Sequence, residues 1–192
     1  MNKFIPIIAG EPNSINSEII AKAWKDKRNI INIFVIGNYS IFKKQIIKLG
    51  IKIPIFKIDR LEDLKKQKKL FILDVPLKFK SIFNVNSSEV RNYIFKSFDI
   101  AHELAVSKKI KGFINASIDK KKFNNKFLGV TEYLSKKNKI KNKEVMFIHN
   151  QRLSVVPLTT HIEIKNVTSK ITYSLIRTKM ITLDSCYFKL FK

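Results

Sequence analysis

The sequence predicts an α/β protein, and three observations carry that reading. Short runs of Ile, Val, Phe and Leu alternate with longer amphipathic stretches, the pattern of strands interleaved with helices. Turn-forming clusters of Gly, Pro, Asn and Ser separate the two kinds of segment. A length of 192 residues, with 45% hydrophobic and 11% aromatic residues, suits one α/β unit or one and a half lobes.

Phe4 to Ala9 reads as the first strand, stopped by the turn formers Gly10-Glu11-Pro12-Asn13-Ser14. Asn16 or Ser17 has the residue type of an N-cap, opening a helix from Glu18 to Lys25 with Ile19, Ile20, Ala23 and Trp24 inward. Ile31 to Ile36 is the second strand, closed by Gly37-Asn38. Ser40 caps a helix running to Leu49, and Gly50 is the residue that ends it. Ile53 to Ile58 is a short strand, and the charged stretch 59–69 reads as surface helix or loop. Leu70 to Val75 is a strand stopped by Pro76.

Ser87 or Ser88 opens the longest helix, where Val90, Ile94, Phe98, Ala101, His102 and Ala105 fall on one face up to Lys108. Gly112 to Ala116 is a strand, and Phe127 to Leu134 leads into a short helix. Val145 to Ile148 and Leu153 to Leu158 are strands joined at His149-Asn150-Gln151-Arg152, a hairpin pattern. From Asn166 the pattern is helical, with Thr168 or Ser169 as cap and a stripe of Ile171, Leu175, Ile176, Met180, Leu183, Phe188 and Phe191. No repeat or low-complexity linker divides the chain.

A net charge of +23 and a pI of 10.1 raise a basic, nucleic-acid-associated protein as a rival reading. Against specific binding, Arg supplies only five of the 38 basic residues, and base-reading surfaces favour the Arg fork. The lysines cluster as solvated patches at 65–69, 120–122 and 136–139, suited to salt-sensitive adsorption without specific nucleic-acid recognition. One cysteine, Cys186, makes neither an internal disulfide nor a Cys-based zinc site. No run approaches a membrane span and the opening apolar run is too short for a signal peptide, so a cytoplasmic protein with no membrane partner is expected. Five glycines exclude a Gly-rich phosphate cradle, and no nucleophile elbow or Cys-x-x-Cys occurs.

The residues that could carry chemistry are few. Val155-Val156-Pro157-Leu158 leads into Thr159-Thr160-His161, and a histidine just after an apolar strand sits where α/β sheets open to ligands. Upstream lies Gly129-Val130-Thr131-Glu132-Tyr133-Leu134. Read alone, His161 is a strand-end histidine bonded to backbone, Thr131 an N-cap and Lys120 a surface lysine. His102 reads as half-buried packing, His149 as turn and Cys186 as packing.

Taken with Ala9-Gly10-Glu11-Pro12, Glu18-Ile19-Ile20 and the run Gly112 to Lys120, these segments resemble the 4-hydroxythreonine-4-phosphate dehydrogenase family of pyridoxal phosphate biosynthesis. The resemblance implies a three-layer α/β/α fold of the isocitrate/isopropylmalate dehydrogenase type. Residues 1–120 would form the first lobe and 121–192 the start of an incomplete, truncated second lobe. It implies NAD-dependent oxidation of the phosphorylated amino acid 4-phosphooxy-threonine, followed by decarboxylation, with a divalent metal (Zn, Mg or Co). His161 would be a metal ligand; Thr131, Val130 and Lys120 would face the substrate, Val130 standing where the family has histidine.

Other departures accompany these matches. Ser14, Asn16 and Ser17 replace glycines and a proline of the family's opening turn, which is expected to be looser for it. Ser117 replaces a proline. Two further metal-ligand motifs, Gly-Leu-Asn-Pro-His and His-Asp-Gln-Gly, do not occur in these residues, nor do the groups that grip the substrate phosphate. The resemblance therefore implies either a homodimer or a partner supplying the missing half. A non-catalytic remnant, or one half of a split enzyme, is the second reading.

Overall fold

Branched and aromatic side chains in short runs build the sheet that organises the first part of the chain. The computed structural model describes residues 4–28, 30–65, 68–119, 121, 129–140, 143–160 and 162–191. The chain divides into two units, Met1–Asn124 and Asn125–Lys192. In the first, β1 (Ile5–Ile8), β2 (Ile33–Gly37), β3 (Ile55–Ile58), β4 (Leu70–Asp74) and β5 (Ile114–Asn115) form one parallel sheet ordered β3-β4-β2-β1-β5. Phe34, Val35, Ile36 and Gly37 of β2 and Leu70 to Leu73 of β4 are buried along their length, as parallel strands covered on both faces must be.

Three helices provide the cover: α1 (Asn16–Lys27), α2 (Tyr39–Lys48) and α3 (Ser87–Val106). The chain steps from β1 to β2 in one direction and from β4 to β5 in the other. Right-handed crossovers therefore place α1 and α2 on one face and α3 on the opposite face, giving three layers. Ile20, Ala21 and Trp24 of α1 pack with Phe42 and Ile46 of α2 over Val35, Leu70 and Ile72. On α3, Val90, Tyr93, Ile94, Phe98 and Ala101 are buried, and the helix lies over β1 and β2. Each fully buried side chain of this kind contributes about 1.5–3 kcal/mol.

Several local expectations shift by a residue or two. The inward residues of α1 are Ile20, Ala21 and Trp24, while Ile19 is 53% exposed and Ala23 is also at the surface. Ile15, with no side-chain cap, precedes α1, because the Asn16 amide is used elsewhere. Asn38 caps α2 in place of Ser40, accepting from the Ile41 N–H at 2.9 Å, and Asn86 caps α3 in place of Ser87 or Ser88. In both cases the extended residue just ahead of the helix carries an amide oxygen that reaches the first free N–H groups. Gly50 ends α2 as expected, at φ +69°. Among its described residues, the charged stretch after β3 forms a 3-10 turn, Leu61–Asp63, anchored by buried Leu61.

The second unit contains α4 (Val130–Lys137), the hairpin β6 (Ile148–His149) and β7 (Ser154–Val155), a 3-10 turn Ile164–Asn166, α5 (Val167–Lys170) and α6 (Tyr173–Phe191). Gly129, not Thr131, occupies the N-cap of α4. The hairpin is shorter than its apolar runs, and His149 lies in β6, its Nδ1 2.8 Å from Ser154 Oγ. The C-terminal helical stretch breaks at Ile171-Thr172. Thr172 Oγ1 accepts from the Leu175 N–H at 3.2 Å and starts α6, while Thr168 and Ser169 lie inside α5. Cys186 is exposed, so it packs in no core. Among the described residues, no helix is long and apolar enough to cross a membrane.

Candidate functional site

In an open parallel sheet, ligands gather at the carboxyl ends of the strands where the strand order reverses. Here that point lies between β1 and β5. Gly10, at φ +72°, turns the chain out of β1, and the Glu11 N–H then bonds Ser117 O at 3.0 Å. Asn16 reaches back into the turn: its Nδ2 donates to Ala9 O at 3.0 Å and to Ser117 O at 2.8 Å. The Ser117 hydroxyl donates to Asn16 Oδ1 at 2.7 Å. Ser14 Oγ donates to Glu11 O at 2.6 Å. Two of the residues expected to loosen this turn, Ser14 and Asn16, thus tie it, because short polar side chains supply bonds where glycine supplies only freedom.

Neighbouring loops are stitched to the same turn by carboxamides. Asn13 pairs both ways with Val85, donating to its carbonyl at 2.9 Å and accepting from its N–H at 2.7 Å. Gln45, 2% exposed, donates to Pro12 O at 2.7 Å and to Ile82 O at 2.5 Å. Asn38 donates to Val75 O at 2.9 Å. Buried backbone carbonyls that leave the sheet need such donors, and side-chain amides provide two each.

Charge at this end of the sheet centres on Asp74. Its Oδ1 accepts from the Tyr39 N–H at 2.8 Å, at the start of α2, where a negative charge is favoured by the helix dipole. Its Oδ2 meets Lys57 Nζ at 3.1 Å; this bonded, charged contact, helped by Asp59, raises the Lys57 pKa above its ordinary value. Tyr93 lies fully buried beneath, its hydroxyl accepting from the Asn38 N–H at 3.2 Å. Burial pushes its pKa up to about 12, against the opposing pull of the Asn38 N–H and Ser97.

These surroundings leave little room. A Cβ on Gly10 would meet Ser117 O at 2.5 Å and Asn16 Nδ2 at 2.7 Å. The cavity lined by Gly10, Glu11, Asn16, Ser17, Asn38 and Tyr93 measures about 10 Å³, the space of one water. A pyrophosphate needs open N–H groups at such a turn, and here the Glu11 N–H is spent on Ser117 O, so the turn after β1 is closed to one. A wider hollow of about 630 Å³ opens over the loop entering α3, and its lining (Lys78, Lys80 and Glu89 among others) carries both signs of charge.

Of the residues named from sequence, Val130 and Thr131 belong to the second unit. Val130 and Thr131 start α4, with Val130 half-buried and the Thr131 side chain exposed. Lys120 and His161 lie outside the described residues. His102 is half-buried on α3 as expected, and the His149 ring stacks on Phe147, centroids 5.6 Å apart. Among the described residues, no three His, Cys, Asp or Glu side chains converge to hold a metal. The described donors do not fit a three-ligand centre, and no step below is routed through one.

Asn13, Asn38, Gln45 and Tyr93 were not visible as site residues. Only Gln45 left a trace, as a polar residue beside Phe42 and Ile46 on the apolar face of its helix.

The family model described as "Pyridoxal phosphate biosynthetic protein PdxA" matches residues 29–192. A 4-hydroxythreonine-4-phosphate dehydrogenase from Aquifex aeolicus (strain VF5) is 30% identical over 174 residues, covering 87% of this chain and 52% of that protein. One from Wigglesworthia glossinidia brevipalpis is 26% identical, covering 100% of this chain and 59% of that protein. The crystal structure of a 4-hydroxythreonine-4-phosphate dehydrogenase from Klebsiella pneumoniae superposes with a TM-score of 0.85 at 20% identity, over 100% of this chain and 60% of that one. The chain therefore spans about half the length of the curated relatives it matches.

Proposed function

We propose, from the premise that this chain belongs to the family of the pyridoxal phosphate biosynthetic protein PdxA, that it forms part of a 4-hydroxythreonine-4-phosphate dehydrogenase. The reaction is NAD-dependent oxidation and decarboxylation of the phosphorylated amino acid, carried out in the cytoplasm. The family match over residues 29–192 carries this reading, supported by a fold shared across the whole chain.

Within it, Thr131 offers its exposed hydroxyl to substrate from the first turn of α4. Val130 lines the same turn without the hydrogen bond a histidine would make. Lys120 faces the substrate, and His161 acts as one ligand of the divalent metal.

A second reading rests on two observations. The relatives are about twice as long, and no described donors converge on a metal. On that reading these residues work only with the remainder supplied by a second polypeptide, or do no chemistry at all. The basic surface does not favour nucleic acid, since lysines such as Lys43, Lys44 and Lys69 lie over the protein's own rings at Tyr39, Phe79 and Phe56.

Purified 192-residue protein, assayed for NAD reduction with 4-hydroxythreonine 4-phosphate and Mg²⁺ or Zn²⁺, separates the readings. No turnover alone is expected, with turnover appearing when the C-terminal remainder of a relative is co-expressed. Turnover by the chain alone, lost in His161→Ala, would show the metal centre complete without a partner. Silence in both arms leaves the non-catalytic reading standing.

A further inference from the structure

Gly10, Asn16 and Ser117 meet at one point, and two of them are positions at which the chain departs from the motif it resembles. In the resemblance, Asn16 stands where the family has a glycine and Ser117 where it has a proline. They are 101 residues apart in sequence, yet each side chain bonds the other residue: Asn16 Nδ2 to Ser117 O at 2.8 Å, and Ser117 Oγ to Asn16 Oδ1 at 2.7 Å. We propose that Asn16 and Ser117 are a mutually dependent pair of positioning residues, clamping the exit of β5 onto the turn that leaves β1. The inference rests on geometry and family membership, independent of the activity proposed above.

The physical reasoning runs through orientation. An Asn amide has two donors and an oxygen on one rigid plane. Here Nδ2 is committed to Ala9 O and Ser117 O, which leaves Oδ1 facing Ser117 Oγ. The hydroxyl therefore fixes the flip of the amide, and the amide fixes the path of the chain at 117. Neither contact survives intact without the other. Asn16 is 3% exposed, so its amide has little water to fall back on, whereas Ser117 lies at the surface. Gly10 completes the arrangement, because any Cβ there would strike both members. Asn at 16 without Ser at 117 would hold an acceptor unmet; Ser at 117 without Asn at 16 would lose its hydroxyl's partner. The pair fixes where the chain leaves the sheet after β5.

Backbone amide exchange on the full chain tests this, read at Glu11, whose N–H bonds Ser117 O at 3.0 Å, against Ile72 in β4 as a reporter of global unfolding. Ser117→Ala in the Asn16 background is expected to speed Glu11 exchange about tenfold. In the Asn16→Ala background the same change should add less than twofold, and Ser117→Thr, which keeps a hydroxyl, should leave exchange near the starting value. An equal effect of Ser117→Ala in both backgrounds would overturn the pairing. Should Asn16→Ala expose Ile72, Asn16→Asp replaces it as the second background. The aspartate keeps an oxygen for Ser117 Oγ, so there Ser117→Ala must again speed Glu11 exchange, and indifference would count against the clamp. Finally, Asn16→Gly with Ser117→Pro should protect Glu11 better than either change alone; additive losses would refute compensation.

Discussion

α3 and α6 are nearly equal in length, 20 and 19 residues, and both carry apolar residues at helical spacing. Their fates differ. On α3, Val90, Phe98 and Ala101 are fully buried, whereas no described residue of α6 is buried and Met180 is 63% exposed. The cause is what each unit offers beneath the helix. The first unit has a five-stranded sheet; the described sheet of the second is a hairpin of two-residue strands. An amphipathic stripe specifies a helix, but only a broad apolar surface turns that stripe into a core. Among its described residues, the second unit is a set of formed elements without a broad sheet of its own.

The largest effect should come from placing the same kind of change on the two helices. Phe98→Ala removes a fully buried ring that also meets Phe113 edge-to-face at 6.1 Å, and is expected to cost about 3–5 kcal/mol. Met180→Ala should cost less than about 0.5 kcal/mol, because the side chain is already in water. Urea unfolding measures both. A similar loss at the two sites would mean that α6 is covered in solution, by a second copy or a partner, and light scattering on the wild type would then identify which.

Next in size is the alkaline behaviour of the first unit. The unfolded Tyr93 ionises near 10, while the folded one resists until about 12. A raised phenol pKa means that its contribution is fully present below pH 10 and is lost as pH rises to 12. That span corresponds to roughly 2–3 kcal/mol. Tyr93→Phe should remove this part of the pH slope, although it also leaves the Asn38 N–H without its hydroxyl partner. Comparing the two proteins from pH 8 to 12 isolates the effect, and identical slopes would show that Tyr93 is not held neutral by burial.

The buried polar groups sharpen the contrast further. Gln45→Ala strands the carbonyls of Pro12 and Ile82 and should cost about 2 kcal/mol. Ser135, donating to Glu144 Oε2 at 2.8 Å, makes a single bond in the second unit, and Ser135→Ala should cost about 1 kcal/mol. If the serine matters more than the glutamine, the second unit is better packed than its exposed side chains indicate.

Which of these features could be read from sequence follows from the range of the forces involved. β2, β4 and α3 were legible because runs of Phe, Val and Ile, and a stripe from Val90 to Ala101, encode burial locally. The order β3-β4-β2-β1-β5 was not legible from spacing, since each neighbour is chosen by crossovers that span tens of residues. Caps at Asn38 and Asn86 were missed because a serine nearby had the same credentials. Motif resemblance misread Asn16 as loosening its turn, because its partner at Ser117 is invisible to any window along the chain.

The smallest prediction compares one backbone conformation in the two units. Gly50 follows α2 at φ +69°, and Lys139 follows α4 at φ +55°. Glycine adopts this left-handed region freely, whereas a residue with a Cβ meets its own carbonyl there, at about 1 kcal/mol. At Gly50 an added Cβ would touch nothing, so Gly50→Ala isolates the backbone term and should destabilise by about 1 kcal/mol. Lys139→Gly relieves the same strain but gives the unfolded chain more freedom, so the net gain should be about 0.5 kcal/mol or less. It should appear as slower amide exchange at Asn138, whose N–H closes the last turn of α4 on Leu134 O at 2.9 Å. Faster exchange there in Lys139→Gly would mean that the left-handed residue does not end α4 in solution, and that the second unit is less settled at its first helix than the first unit is at its second.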